Sequence, residues 1–397
     1  MLASSHAQIP LDEAFTAFHA LVLAAPALQD VLGAVEDYRA FPARAAEVAL
    51  AHGLELQAED FSTRLHLFGA APPLLEGQAP LPGWLPAEVT KVDGRPVVTW
   101  LWFGRQRLTE SFYDDSLTWA GRQPFNRLLS FRTPLAELEV WAASLPTFEP
   151  QGLILHMSRC GSTLAAQMLA APQAHVVVSE AAPLNAVMRL EGVEETTKVA
   201  LLRAMAAVLG QARNPGEARA FFKLDCWHSL DLPLLRRAFP DTPWVFLYRD
   251  PVEVMVSQVR RRGVQMVPSL VPPATFGIDL PNGVPNEDYC ARVLAAVCEG
   301  ALTHYAIGGG RLINYRQLPE ALFTTILPHF GVDASEAELA AMRAASIRDA
   351  KAPEQAFTPD GQAKQQAATA AVREICEHRL GNVYARLEAL RAKDLTP

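Results

Sequence analysis

From residue 151 onward the chain alternates short apolar runs with helical stretches, and this rhythm limits the fold more than any other feature. Residues 153–157, 175–179, 220–224, 244–248 and 312–315 read as buried strands, rich in branched and aromatic side chains. Helical stretches such as 162–169 lie between them. Strands that are apolar on both faces need cover on both faces. The expected fold is therefore α/β, a parallel sheet sandwiched by helices.

The amino-terminal part follows other rules. Leu11, Phe15, Phe18 and Val22 recur at helical spacing within 10–66, and 41–53 predicts a second helix that stops at Gly53. Residues 71–86 are rich in proline and read as a linker. Val97, Val98, Trp100, Trp102 and Phe103, with Asp93-Gly94 as a type I′ turn signal, predict a β-hairpin over 87–103. Residues 110–113 read as a third extended piece. The expected organisation is a helical region at 1–70, a linker and hairpin subdomain at 71–145, and an α/β domain at 146–397. The segment 263–285 is proline-rich and aperiodic, the pattern of a functional or mobile loop.

A net charge of −8 argues against a nucleic-acid binder but not against a local basic pocket for a small anion. No apolar run reaches membrane-spanning length, and the start MLASSHAQIP lacks the basic-then-apolar order of a signal peptide. The five cysteines are odd in number and match no zinc spacing, so no metal is expected and a reducing cytoplasm is the simplest location.

The first chemical motif lies at the end of strand 153–157. A tight turn there, S-R-C-G-S-T at 158–163, opens a helix. Gly161 lets backbone approach a ligand, and the helix N-terminus offers free N–H groups and a positive dipole end. Ser162 and Thr163 add hydroxyls, and Arg159 adds a guanidinium fork. The architecture is P-loop-type, but the lysine and second glycine of a Walker A loop are missing.

The second motif is R-D-P-V-E-V-M-V-S at 249–257. A buried strand ends in Arg249, Asp250 caps a helix, and Pro251 takes its first position. Ser257 lies two turns along that helix, so its hydroxyl and the Arg249 guanidinium can reach one phosphate.

Together the two stretches resemble the sulfotransferase superfamily, whose donor is 3′-phosphoadenosine-5′-phosphosulfate (PAPS). There, P-[KR]-S-G-[ST]-T binds the 5′-phosphosulfate and R-[DN]-P-x-[DE]-x-x-x-S binds the 3′-phosphate. The resemblance implies that Arg159, Cys160, Gly161, Ser162, Thr163, Arg249 and Ser257 hold the nucleotide. It also implies a carboxyl-terminal loop closing over it, with Lys351 as candidate. Cys160 stands where serine is usual, and Arg159 where many members have lysine. An arginine there is similar to the bacterial and tyrosylprotein branches.

Sulfuryl transfer calls for a general base on the acceptor. Glu180, at the end of strand 175–179, is the first candidate, placed beside the loop. In the tyrosylprotein branch a catalytic glutamate follows the loop arginine at the same separation. The rivals are Asp225 and His228. Cytosolic members carry Lys-x-His on the matching strand; here Lys223 aligns, Asp225 takes the histidine's place and His228 is displaced. Arg159 and Lys223 are expected at the sulfuryl group. Arg260, Arg261 and Arg262 read as a solvated helix end, and His156 and His175 as core or sheet-edge residues.

Residues 14–61 resemble, more weakly, leader segments of the nitrile-hydratase and nitrogen-fixation type. The expected activity is transfer of a sulfuryl group from PAPS to a hydroxyl or amine of a small-molecule or peptide acceptor, releasing 3′-phosphoadenosine-5′-phosphate (PAP). No nucleic-acid or membrane partner is expected, and a homodimer is left open. Two alternatives stand beside this: a P-loop kinase with magnesium-dependent ATP turnover, and a non-catalytic nucleotide- or peptide-binding module of the same fold.

Overall fold

The computed structural model describes residues 11–67, 71–279, 283–356 and 358–394. Residues 1–10, part of the 263–285 segment and Phe357 lie outside them.

Four helices come first, Leu11–Ala24, Pro26–Gly33, Phe41–Ala51 and Ala58–Leu65. Phe15, Phe18 and Phe61 pack edge-on, with ring centroids 5.2 and 4.9 Å apart. Leu11, expected on the same apolar stripe, is 52% exposed. It opens the first helix. The leader-like stretch 14–61 is thus part of the buried core at Phe15, Phe18, Val22, Phe41 and Phe61.

Strands β1 (Trp84–Val92) and β2 (Arg95–Trp102) form the expected hairpin. Asp93 and Gly94 have φ of 49° and 78°, the left-handed pair that a type I′ turn requires. The third strand of this antiparallel sheet is β3 (Phe131–Pro134), not 110–113. Tyr113 instead opens the helix Tyr113–Gly121, where Asp114 and Asp115 in the first turn complement the positive end of the dipole. Phe131 earns its place by packing on Trp84 at 4.9 Å, and Trp100 Nε1 donates to Thr133 Oγ1.

The second sheet contains β4 (Pro150–His156), β5 (His175–Ser179), β6 (Arg219–Lys223), β7 (Trp244–Tyr248) and β8 (Gly310–Asn314). All pairings are parallel, in the order β5-β6-β4-β7-β8, and helices flank the sheet. The fold class expected from the sequence is the one observed. Strand β6 lies between β5 and β4, so Glu180 is one strand farther from the loop than adjacency would place it. Gln211 ties the two sheets together, accepting from Gly83 N and donating to Trp84 O.

Around Lys351, where the resemblance implies a closing loop, residues 348–356 form a two-stranded piece, β9 (Arg348–Asp349) and β10 (Ala352–Ala356). Ser111 Oγ donates to Ala350 O and fastens this piece to the amino-terminal part. Among the described residues, no single helix is long and apolar enough to cross a membrane.

Candidate active site

The parallel strands β4, β5, β6 and β7 all deliver a functional side chain at or just past their carboxyl ends. After β4 the chain makes a tight left-handed excursion. Ser158, Arg159 and Gly161 have φ of 77°, 51° and 86°. Two non-glycine residues in this region store local strain, a feature that clusters at ligand clamps. A Cβ on Gly161 would lie 2.7 Å from the Tyr315 ring, so only glycine fits there. The helix Ser162–Ala170 then starts, with its first amides turned toward the loop.

Arg159 is fixed by an Nη2 bond to Arg261 O. Burial first, then the neighbouring Arg261, lowers its pKa from the ordinary arginine value. Cys160 faces the other way. Its thiol donates to Leu247 O and is pushed up to about 11 by burial, so the residue can serve a ligand only through its backbone. Ser158 Oγ receives bonds from Gln258 and Gln265, which hold the turn from behind.

Glu180 follows β5 with φ of 54° and donates its N–H to Lys223 O. Lys223, fully buried at the end of β6, donates its ammonium to Glu180 Oε1. His156 Nε2 lies 3.2 Å from the same oxygen. Its Nδ1 accepts from Ser158 N, which assigns the ring proton to Nε2. Burial alone would raise the Glu180 carboxyl, but Lys223 and then His156 outweigh it and hold the group well below the usual carboxylate range. His156, read as a core residue, is therefore both buried and a partner of the candidate base.

The structure gathers Arg159, Glu180, Asp225 and Lys351 on one cavity of about 540 Å³, with Ser162 and Thr163. Lys223 stands behind Glu180, its ammonium 4.8 Å from the Phe112 ring centre. His228 is not on the cavity wall. It is buried behind Asn185, whose Oδ1 lies 2.9 Å from His228 Nε2, and burial followed by Arg189 lowers it to about 3.

A second cavity, of about 330 Å³, holds the nucleotide-type residues. Arg159, Cys160, Gly161, Ser162, Thr163, Arg249, Ser257 and Lys351 all line it. Arg249 stacks its guanidinium 4.0 Å over Tyr315 and bonds two carboxylates, Glu253 at 2.5 Å and Asp360 at 2.7 Å. Burial would lower its pKa, but the bonds from Asp360 and then Glu253 outweigh that and raise it. Ser257 Oγ donates back to Glu253 O. Arg260, expected as solvated, lines this cavity, and Arg261 and Arg262 line the other. A basic run at a helix end carries no sequence signal that separates a solvated face from a cavity rim.

Residues 153–268 match the Sulfotransferase family. The matched segment resembles sulfotransferases. It contains both motifs and the ends of β4 to β7, and the match supports sulfuryl transfer as the chemistry. A search of curated proteins finds no match. Among solved structures, the chain is similar to sulfotransferase STF9 from Mycobacterium avium, at 13% identity and a TM-score of 0.40, over 66% of this chain and 85% of that one. It is also similar to a sulfotransferase from Alicyclobacillus acidocaldarius, at 15% identity and 0.36, over 62% and 96%. The mouse sulfotransferase SULT7A1 complexed with PAP is a third, at 11% and 0.35, over 76% and 98%. Likenesses at these scores carry no functional argument.

Some residues of the candidate site had no local signal. Tyr315 joins the smaller cavity from a distant segment, and Phe112, Asp114 and Asp115 join the larger from the amino-terminal part, whereas Asp360 and Lys364 reach the smaller one from the carboxyl-terminal segment where the resemblance places a closing loop.

Proposed function

We propose that this chain transfers a sulfuryl group from PAPS to the hydroxyl or amine of an acceptor. One observation carries the reading. Arg159, Ser162, Thr163 and Lys351 line both cavities and form a wall between them. A donor in the smaller cavity would thus present its reactive end to the larger one. Arg159, Arg249, Arg260, Lys351 and Lys364 outnumber Asp349 and Asp360 around the smaller cavity, which suits a ligand with several negative charges.

In this mechanism the acceptor oxygen attacks sulfur in line. A new S–O bond forms, and the bond from sulfur to the bridging oxygen of the 5′-phosphate breaks. The electron pair leaves on PAP. Arg159, Lys351 and the helix amides oppose the charge growing on that bridging oxygen. Glu180 takes the acceptor proton. As the ion-pair partner of Lys223 it is a weak base, but it is ionised at neutral pH. The acceptor proton becomes acidic as the S–O bond forms, so late transfer to a weak base suffices. His156 and Lys223 fix the carboxylate by occupying one oxygen and leaving the other for the acceptor. The unbridged, buried thiols suit a reducing cytoplasm.

Calorimetry with PAP tests the donor side, and radiolabelled transfer from PAPS tests the base. The wild type is expected to bind PAP, and Glu180→Gln to lose about two orders of magnitude in transfer while PAP affinity stays within about twofold. Absence of PAP binding overturns the proposal. Transfer indifferent to Glu180→Gln overturns the base assignment alone.

A further inference from the structure

The acceptor cavity is bipolar. Arg159 and Lys351 are shared with the nucleotide cavity, and Arg261 and Arg262 extend that basic wall, Arg261 O accepting from Arg159 Nη2, whereas Asp114, Asp115 and Asp225 supply the acidic groups that belong to the acceptor cavity alone with Glu180. Among the described residues, no basic side chain forms an ion pair with Asp114 or Asp115. The one buried ammonium nearby, Lys223, is committed to Glu180.

Asp225 is the decisive residue. It is only 8% exposed, it lines the cavity, and among the described residues no group hydrogen-bonds its carboxyl. Its nearest basic group is His228 Nε2 at 3.8 Å, which is already engaged with Asn185 Oδ1. An unpaired buried carboxylate is costly. Burial first, and Glu180 next, push the Asp225 carboxyl up to about 8. At neutral pH the free protein therefore avoids that cost by keeping Asp225 protonated, and a cation delivered by a ligand favours its ionised form, since it supplies the missing partner. Phe112 and Trp227 add apolar wall beside it. A cavity of about 540 Å³ suits a small molecule.

Resting on the sulfotransferase reading above, we propose that the acceptor is a small hydroxylated amine, its cationic group held by Asp225 with Asp114 and Asp115 and its hydroxyl set at Glu180. The three aspartates then act as specificity residues. They select by charge at one end of the acceptor, while Glu180 acts on the oxygen at the other.

The test is calorimetry on the full-length, PAP-saturated protein with three phenols of similar size: tyramine, neutral 4-ethylphenol and anionic 4-hydroxyphenylacetate. Tyramine is expected to bind at least about tenfold more tightly than 4-ethylphenol, with the anion weakest. Asp225→Asn is expected to weaken tyramine about tenfold or more while PAP affinity holds. Asp114→Asn with Asp115→Asn, at exposed positions, gives the same direction should the buried change impair folding. Equal binding of tyramine and 4-ethylphenol, a preference for the anion, no binding of any of the three, or a tyramine preference that survives the substitutions overturns the inference. Failure to bind PAP is a separate result and strikes the sulfotransferase reading itself.

Discussion

Lys223 donates its buried ammonium to Glu180 Oε1 across two neighbouring strand ends, and this pair links the stability of the fold to the chemistry of the site. Removing one partner leaves the other charged and uncompensated. Lys223→Met is expected to cost about 3 kcal/mol of unfolding free energy. The double substitution Lys223→Met with Glu180→Gln is expected to recover most of it, because no buried charge is then orphaned. Urea unfolding of the wild type, Lys223→Met, Glu180→Gln and the double variant measures the coupling. Equal losses in the single and double variants would show that the pair is not a unit.

Arg249 carries a second prediction. Asp360 bonds the Nη2 that a 3′-phosphate would need. Asp360→Asn removes the charge that competes for this guanidinium. PAP affinity is expected to rise about threefold to tenfold, whereas Arg249→Ala is expected to lower it about a hundredfold. Titration calorimetry of both variants gives the answer. A weaker complex for Asp360→Asn would mean that the carboxylate orients Arg249 rather than opposing the ligand.

As a proposed donor contact, Lys351 is expected to set a pH limit for donor binding. Burial, then Arg159 and Lys223, lowers its ammonium to about 8. The charged form is the one that attracts the phosphosulfate, so kcat/KM for PAPS is expected to hold below that value and fall as pH rises through it. Lys351→Arg keeps its charge and is expected to remove this alkaline fall. A wild-type profile that stays flat through about pH 9 would rule out Lys351 as a donor contact.

His228 governs stability on the acid side. Its folded value is about 3 against an ordinary 6.5, so the unfolded chain binds the extra proton between these limits. The stabilisation is complete above 6.5 and is lost as pH falls toward 3. Asp225, raised to about 8, works in the opposite sense, so the comparison must be made against His228→Gln in the same background. That variant is expected to lose less stability than the wild type between pH 7 and 5, read from urea midpoints.

Much of this site was legible along the chain, and the reason is range. The strand limits at 175–179 and 244–248, the Asp93-Gly94 turn and the cap at Asp250 depend on neighbours within a few residues. The 158–163 and 249–257 motifs are also local, since each is one strand, one turn and one helix start. Apolar period alone was enough to require a parallel sheet covered on both faces.

Tertiary structure decided what those motifs face. Strand order places β6 between β5 and β4, and that insertion brings Lys223 to Glu180. No spacing in the sequence encodes it, because crossover connections rather than local propensity choose which strands become neighbours. The same holds for Asp360 at Arg249 and for Asp114 and Asp115 beside the acceptor cavity. The sequence alone determined a parallel α/β sheet with two candidate anion cradles. Packing between distant segments decided which carboxylates are paired, which are left open, and so what the larger cavity can hold.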